Sequence, residues 1–553
     1  MMMLIGTMLM GATLGYWPFW GGDVSHQALQ LMKGGMEAEP ALKWEFATNG
    51  TVAQFSAIAD CDEDGATEVI FGSYAGSVYC VDGTTGATKW VFSTGDNKVT
   101  TSPGVVDLDG DGKKEVLIGT SYFYDSIYIY GKLYCLRGED GSVKWSFQAD
   151  NFIYSSPVAG NLLGDGTLEV VFGCNDGKVY CLDGKDGLAL WTYATGSPVR
   201  SSPALGDMNN DGVLEVVVSS GNKVYCLNHN SIVLWVYANG HWDLTSPAVS
   251  DLDGDGYLDV VVGADGLYVL NGATGSLKWL SNFGGTYSVV TSTPAIADDI
   301  DRDGYSREIM VAAYTWVADT GDTDSLYINL SYYTYGIYCL DGATGLVEWV
   351  YETGVPVYGA LSLLDVEKDD ILEVLIPVFV SDTGGGGGDT DSVHVLYAIG
   401  SGLTCLNAEN GSLLWSKPLA SGAIYPFSGD IDGDSCSEIM VGAGNSMYAL
   451  DDDSKGCTHC GVYVENTVSL KEGAGTINPF SLKALGGSVY LFMPTGAGVS
   501  LCLYDASGRL TQVLFNGVLG PGEHKFVPEH QPKGVYLVVL RYPGGTKSVK
   551  LVR

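Results

Sequence analysis

Positive charge is scarce in this chain. Only 28 Lys and Arg stand against 65 Asp and Glu, a formal net charge of -37 at pH 7. Such a surface repels phosphate backbones and anionic lipid, which excludes nucleic acid as a partner and invites divalent cations wherever the carboxylates cluster. Charged residues of both signs make up only 17%, against 46% hydrophobic, and that balance excludes global disorder. Long apolar runs are lacking too. The opening MMMLIGTMLMGATLG is shorter than the ~20 residues of a membrane span. It reads as the core of a signal peptide over residues 1–22, with a retained anchor or a structural segment as alternatives because no Lys or Arg precedes it. No other segment reads as transmembrane. Histidine is sparse: His26, His229, His241, His394, His459, His524 and His530 are scattered, none spaced for a nucleophile or a metal.

Glycine and tyrosine are plentiful, at 76 and 33 residues, which suits many short strands joined by tight turns. One unit recurs eight times between residues 40 and 452. Its parts are a Trp-centred strand, a short strand often ending in Ser-Pro or Thr-Pro, an acidic loop, a Glu-Val-Val-Val-Gly-like strand, a Val-Tyr-Cys-Leu-Asp-like strand and a DGxTG turn. The tryptophans are Trp44, Trp90, Trp145, Trp191, Trp235, Trp279, Trp349 and Trp415. Four short strands per period of this length is a propeller blade. The spacing predicts an all-β, eight-bladed β-propeller, with seven blades as the alternative. The chain starts the series with LKWEF at 42–46 and ends it with MYALD at 447–451, so the first strand can complete the last blade and remove an exposed edge.

The acidic loops carry the chemistry. Asp107, Asp109, Asp111 and Glu115 stand at offsets 0, 2, 4 and 8, with Gly112 at the bend. Calcium wants six to eight hard oxygens, and a loop of alternate carboxylates with a late acid at the next strand supplies them. The same spacing recurs at Asp60, Asp62, Asp64 and Glu68, at Asp207, Asn209, Asp211 and Glu215, and at Asp251, Asp253, Asp255 and Asp259. It is looser at Asp299, Asp301, Asp303 and Glu308, and at Asp430, Asp432, Asp434 and Glu438. Asp370 replaces the Gly in the loop Asp365, Glu367, Asp369, Glu373, and the third loop, with Asn161, Leu163 and Asp165, has lost most of its ligands. Solvated acidic turns without metal are the alternative reading; carboxylates held this close repel unless a cation neutralises them.

Six of the 12 cysteines, Cys80, Cys135, Cys181, Cys226, Cys339 and Cys405, fall at one repeat-equivalent position and read as small core residues, one to a blade. Cys457 and Cys460 could form a local disulfide or stay free; a metal there would need two further ligands.

At these residues the chain resembles two families. The acidic loop followed by Glu-Val-Val-Val-Gly is similar to the FG-GAP repeat of integrin-type propellers, and YCVDGTTGATKW at 79–90 and YCLDGATGLVEW at 338–349 resemble the quinoprotein-type (PQQ-like) repeat. The resemblance implies the fold more than any activity. Quinoprotein dehydrogenases of this type use adjacent cysteines; none are adjacent here, and no PQQ is expected. Residues 453–465 read as a linker and 466–553 as a small immunoglobulin-like β-sandwich. Through Leu503, Tyr504, Asp505, Gly508, Arg509, Pro521, Gly522, Gly534, Val535, Tyr536 and Lys550-Leu551-Val552 it resembles the C-terminal sorting domain of bacterial type IX secretion. That likeness implies export to the outside or the outer surface of a bacterium, with the secretion machinery as partner; an ordinary accessory sandwich is the alternative.

Insertions at 122–130, 314–336 and 378–402 mark the face opposite the acidic loops, and Trp316, Tyr327, Tyr332, Tyr333 and Tyr335 there suit an extracellular carbohydrate or protein ligand, or pack the hairpin itself. Binding or adhesion without catalysis is the expected function. A calcium-dependent polysaccharide lyase on the same scaffold is the alternative.

Overall fold

The computed structural model describes residues 39–451 and 481–552, apart from 96, 125–126, 239–244, 286, 299–306, 318–331, 358, 365–371, 379–401, 420–422, 433–436, 486–487, 494–496, 506–509, 520–521, 527–534 and 543–544. The chain divides into two compact units, the larger containing the propeller and the smaller containing residues 468–553.

The propeller has eight antiparallel blades. Blade 1 shows the plan: an inner strand Val52–Ala59, a second strand Glu68–Ser73, a third strand Ser77–Asp82 and an outer strand Thr88–Ser93. The Trp-led strand is therefore the outer strand of its blade. Blade 8 takes its outer strand from the start of the chain, where Ala41–Ala47 pairs with Ser446–Asp451 and sets Trp44 opposite Ala449. Closure by the first Trp strand and the count of eight both agree with the sequence reading.

Second strands such as EVIFGS and EVVVSS are buried at every position, as continuous apolar runs covered on both faces must be. Outer strands lie on the rim and are only partly buried, as in TKWVFS, where Trp90 alone is buried. The repeat-equivalent cysteines stand opposite the blade tryptophans, as in Cys80 with Trp90 and Cys135 with Trp145. All six are buried, so the core reading holds.

Two hydrogen-bond series tie blade to blade. Six of the eight blade tryptophans dock on the turn of the next blade. Trp44 Nε1 donates to Gly83 O at 2.6 Å, Trp90 to Gly138 O at 2.7 Å, Trp145 to Gly184 O at 2.8 Å, Trp235 to Gly272 O at 2.6 Å, Trp279 to Gly342 O at 2.9 Å and Trp349 to Ala408 O at 2.8 Å. Nearer the axis, the residues of the Ser-Pro motifs divide the labour. The hydroxyl before the motif binds within its own blade, as when Gly119 N donates to Thr101 Oγ1 and Gly173 N to Ser155 Oγ. The motif serine reaches the next blade: Ser102 N donates to Ser156 Oγ at 3.0 Å, Ser156 N to Ser202 Oγ at 2.9 Å and Ser202 N to Ser246 Oγ at 2.9 Å.

The smaller unit is a β-sandwich of two antiparallel sheets. One holds three strands, Ser481–Leu485, Ser488–Met493 and Gly522–Phe526, and the other four, from Ala497–Asp505 to Gly545–Val552. Leu503, Tyr504, Asp505, Val535, Tyr536 and the closing Lys550-Leu551-Val552 lie on its strands, whereas Gly508, Arg509, Pro521 and Gly534 lie outside the described residues. The apolar start of the chain, Cys457 and Cys460 lie outside them too.

Candidate functional site: the acidic loops and the blade 6 hairpin

Each acidic loop joins the inner strand of a blade to its second strand. Antiparallel order puts that loop at the same end as the turn between the third and outer strands, and in blade 1 Gly83 N donates to Thr67 O across the two. The first Asp folds the loop by accepting from the glycine five residues on: Asp107 Oδ2 from Gly112 N at 2.9 Å, and Asp251 Oδ2 from Gly256 N at 2.9 Å. Gly112 has φ 91°, a conformation that costs a residue with a Cβ. The third Asp caps the bend, with Asp111 Oδ1 accepting from Lys113 N at 2.8 Å.

The final acid has a role the spacing did not reveal. Glu68, Glu115, Glu169, Glu215 and Glu438 are at most 2% exposed. Each turns Oε2 back to the backbone N–H one place after the loop's first residue, at Cys61, Leu108, Leu162, Met208 and Ile431, over 2.7–3.0 Å. It is a hook for the loop, leaving Oε1 to face the other carboxylates. Burial raises these carboxyls, Glu215 to about 7 and Glu438 to about 9, against the pull of their backbone hydrogen bonds. Asp259, one methylene shorter, gives both oxygens to Lys278 at 2.9 Å, and burial still lifts it to about 6.

Four loops gather three carboxylates whose oxygens lie within 4.8 Å of one another: Asp60, Asp62 and Glu68; Asp107, Asp109 and Glu115; Asp251, Asp253 and Asp255; Asp430, Asp432 and Glu438. The last is one of the loops whose spacing is loose. Asp64, Asp111 and Asp259 stand outside these groups, and Asp207, Asn209, Asp211 and Glu215 form no such group. Asp299, Asp301, Asp303, Asp434, Asp365, Glu367 and Asp369 lie outside the described residues, while Glu308 and Glu373 are buried at the starts of their strands.

The donor set fits a hard cation. Asp60 Oδ1, Asp109 Oδ1, Asp251 Oδ1 and Glu438 Oε1 are buried without a hydrogen-bond partner, one in each group. Buried oxygens are rarely left so, and a divalent ion would satisfy them. Sequence reasoning missed the lysines on the outer strands: Lys43, Lys89, Lys144 and Lys278 each place an ammonium 2.5–3.0 Å from carboxylates of these loops. Burial works against the Lys89 charge, but hydrogen bonds to Asp62, Glu68 and Asp64 outweigh it and raise the group. The missed signal is the recurrence of Lys directly before Trp.

At the other end of blade 6, the strands Arg307–Val317 and Tyr332–Asp341 pair out to Val317 and Tyr332. Trp316 faces Tyr333 on one side and Tyr287 on the other, and Tyr314 faces Tyr335. Tyr333 and Tyr335 stack with centroids 6.3 Å apart, and both lie within 6 Å of Tyr314. Tyr333 is 56% exposed and Tyr287 47%. Tyr327 lies outside the described residues, and the Tyr332 position is fixed by its backbone pairing alone.

Several solved structures are similar to the chain. A europium-containing methanol dehydrogenase superposes with a TM-score of 0.53 at 13% identity, over 80% of this chain and 92% of that one. BamB from Moraxella catarrhalis gives 0.47 at 14%, over 76% and 99%, and the V. cholerae biofilm matrix protein Bap1 gives 0.49 at 15%, over 75% and 91%. No curated protein matches in sequence. The family model described as outer membrane protein assembly factor BamB matches residues 74–199 and 162–351. Those two stretches take in half of the chain, and their blades carry the tryptophan docking and the acidic loops described above, so the chain belongs to this BamB family of PQQ-like propellers.

Proposed function

We propose that the protein is a calcium-stabilised binding propeller, working in the cell envelope or outside the cell without catalysis. The observation that carries the calcium reading is the coincidence, in four blades, of three converging carboxylates with one buried, unpartnered oxygen. In those blades Asp60, Asp62 and Glu68, Asp107, Asp109 and Glu115, Asp251, Asp253 and Asp255, and Asp430, Asp432 and Glu438 would hold the ion. Calcium there supplies charge neutralisation at the junction of inner and second strands; binding to the folded state alone raises stability by mass action.

The ligand surface in this reading is the aromatic extension of blade 6, where Tyr333 and Tyr287 offer exposed ring faces beside Trp316. Rings held in rigid strands with polar rims suit sugar faces or a protein partner. The family's description as an outer-membrane assembly factor favours binding over turnover and an envelope setting. The C-terminal sandwich would serve as the export signal that its sequence resembles.

Two experiments test the parts separately. The melting temperature should rise with millimolar calcium and fall on adding excess chelator; a temperature indifferent to chelator contradicts the calcium reading. On a glycan array and against envelope fractions, the protein should bind without releasing product from acidic polysaccharides, and Tyr333→Ala should weaken binding. Release of unsaturated oligosaccharides would replace the binding reading with a lyase.

A further inference from the structure

In every blade the third and outer strands slip register once, at the same place. In blade 1 Cys80 faces Trp90 and Val81 faces Thr88, so Lys89 has no partner across the ladder. The same slip leaves out Lys43 in blade 8, Lys144 in blade 2 and Lys278 in blade 5. In blades 3, 4, 6 and 7 it leaves out Leu190, Leu234, Glu348 and Leu414. A bulge sets two consecutive residues against one and re-aims a side chain out of the strict alternation. Where the bulged residue is lysine, it reaches its own blade's acidic loop.

In each of these loops it takes at least one carboxylate of the converging group: Asp62 and Glu68, Asp109 and Glu115, Asp253, and Asp432. Lys89 Nζ lies 2.8 Å from Asp62 Oδ2, 3.0 Å from Asp64 Oδ2 and 2.5 Å from Glu68 Oε1. Lys144 lies 2.7 Å from Asp109 Oδ2 and 2.8 Å from Glu115 Oε1, Lys278 lies 2.6 Å from Asp253 Oδ2 and 2.9 Å from Asp259, and Lys43 lies 2.7 Å from both Asp432 and Asp451.

We propose that the bulged residue before each blade tryptophan sets the calcium affinity of its loop, a lysine there acting as a tethered cation that calcium must displace. This rests on the calcium reading above. An ammonium and a calcium ion cannot share one carboxylate oxygen at full strength, because the two positive charges repel at the few ångströms that separate them. The lysine keeps the loop folded when calcium is absent and lowers its affinity when calcium is present. It does not satisfy the loop completely: Asp60 Oδ1, Asp109 Oδ1 and Asp251 Oδ1 stay buried without a donor beside it, so displacement still gains ligand bonds.

Blade 4 shows the compensation. Its bulge holds Leu234, and its second loop position is Asn209 where blades 1, 2 and 5 have Asp. One carboxylate and one ammonium are lost together, so the loop keeps the formal charge of the others. The Asn209 Nδ2 donates to Glu215 Oε1 at 3.1 Å, the bond that lysine makes in blades 1 and 2.

The test is calcium titration of the full-length protein by calorimetry, with terbium luminescence as a second readout. The triple variant Lys89→Met, Lys144→Met, Lys278→Met should bind calcium about tenfold tighter in those loops and show a larger calcium-dependent rise in melting temperature. Lys→Gln at the same positions retains a donor for the glutamate if the methionine variant folds poorly. If wild type binds calcium and none of these variants alters its affinity, the lysine proposal is overturned while the calcium reading stands. If neither wild type nor any variant binds calcium or terbium, both fall.

Discussion

Trp145 and Gly184 join two blades through a 2.8 Å hydrogen bond from the indole nitrogen to the carbonyl, and Gly187 lies under the same ring. A Cβ built on Gly187 would come within 2.6 Å of Trp145 Cδ2 and Cε3, at a φ of +73°. Gly187→Ala should therefore cost ~2 kcal/mol or more, from overpacking and backbone strain together, read as a shift in the urea midpoint. The equivalent glycines under Trp44, Trp90, Trp235, Trp279 and Trp349 make the same demand.

Trp191 and Trp415 break the series, and for Trp191 the cause lies in the next turn. The turn it meets runs from Asn228 to Ile232, one residue shorter than the DGxTG turns and carrying His229 where they have Gly. Trp191 Nε1 is left buried without a partner. Trp145→Phe should destabilise the protein by about 1–2 kcal/mol more than Trp191→Phe, since only the first removes a made hydrogen bond. Equal costs in denaturant titrations would contradict the docking account.

The inner belt gives a third expectation. Ser156→Ala removes the acceptor of the buried Ser102 N–H, and an orphaned buried donor costs about 1–3 kcal/mol. Hydrogen exchange should quicken first at the boundary between blades 2 and 3, while Ser156→Thr, which keeps the hydroxyl, should lose less.

Glu169 provides a pH test free of metal, because its loop lacks the other ligands. Burial raises its carboxyl above the ordinary 4.5 despite backbone bonds from Leu163 and Leu162. A carboxyl whose folded value is raised contributes stability that is fully present below pH 4.5 and lost as pH climbs through the raised value. Glu169→Gln keeps an acceptor for the two N–H groups and removes the titration, so the variant should gain on wild type as pH rises from 4.5. Chemical denaturation across that range measures the difference; parallel curves would contradict it.

The ring was legible because its signals are local and repeated: a tryptophan per blade, a Ser-Pro or Thr-Pro before five of the acidic loops and a Cys facing the indole in six blades. Closure by LKWEF was legible because a Trp strand at one end and a missing one at the other fit a circle. The hook glutamates were visible only as the last acids of a ligand pattern, since nothing in the spacing says that Glu115 turns back to Leu108 N. The lysines were harder. Lys89 lies 21 residues beyond Glu68 and meets it only through a bulge, and bulges leave no periodic mark on the sequence. The serine belt spans blade boundaries 44 to 54 residues apart, a separation that only the closed ring makes meaningful.

The central claim is that the converging carboxylates are cation sites. Anomalous diffraction from crystals grown in millimolar calcium tests it most directly. The account predicts peaks ~2.3–2.6 Å from Asp60 Oδ1, Asp109 Oδ1, Asp251 Oδ1 and Glu438 Oε1, with the lysine ammonium groups drawn back from the occupied loops. Loops that keep their lysines in place and show no anomalous signal at that concentration would contradict it.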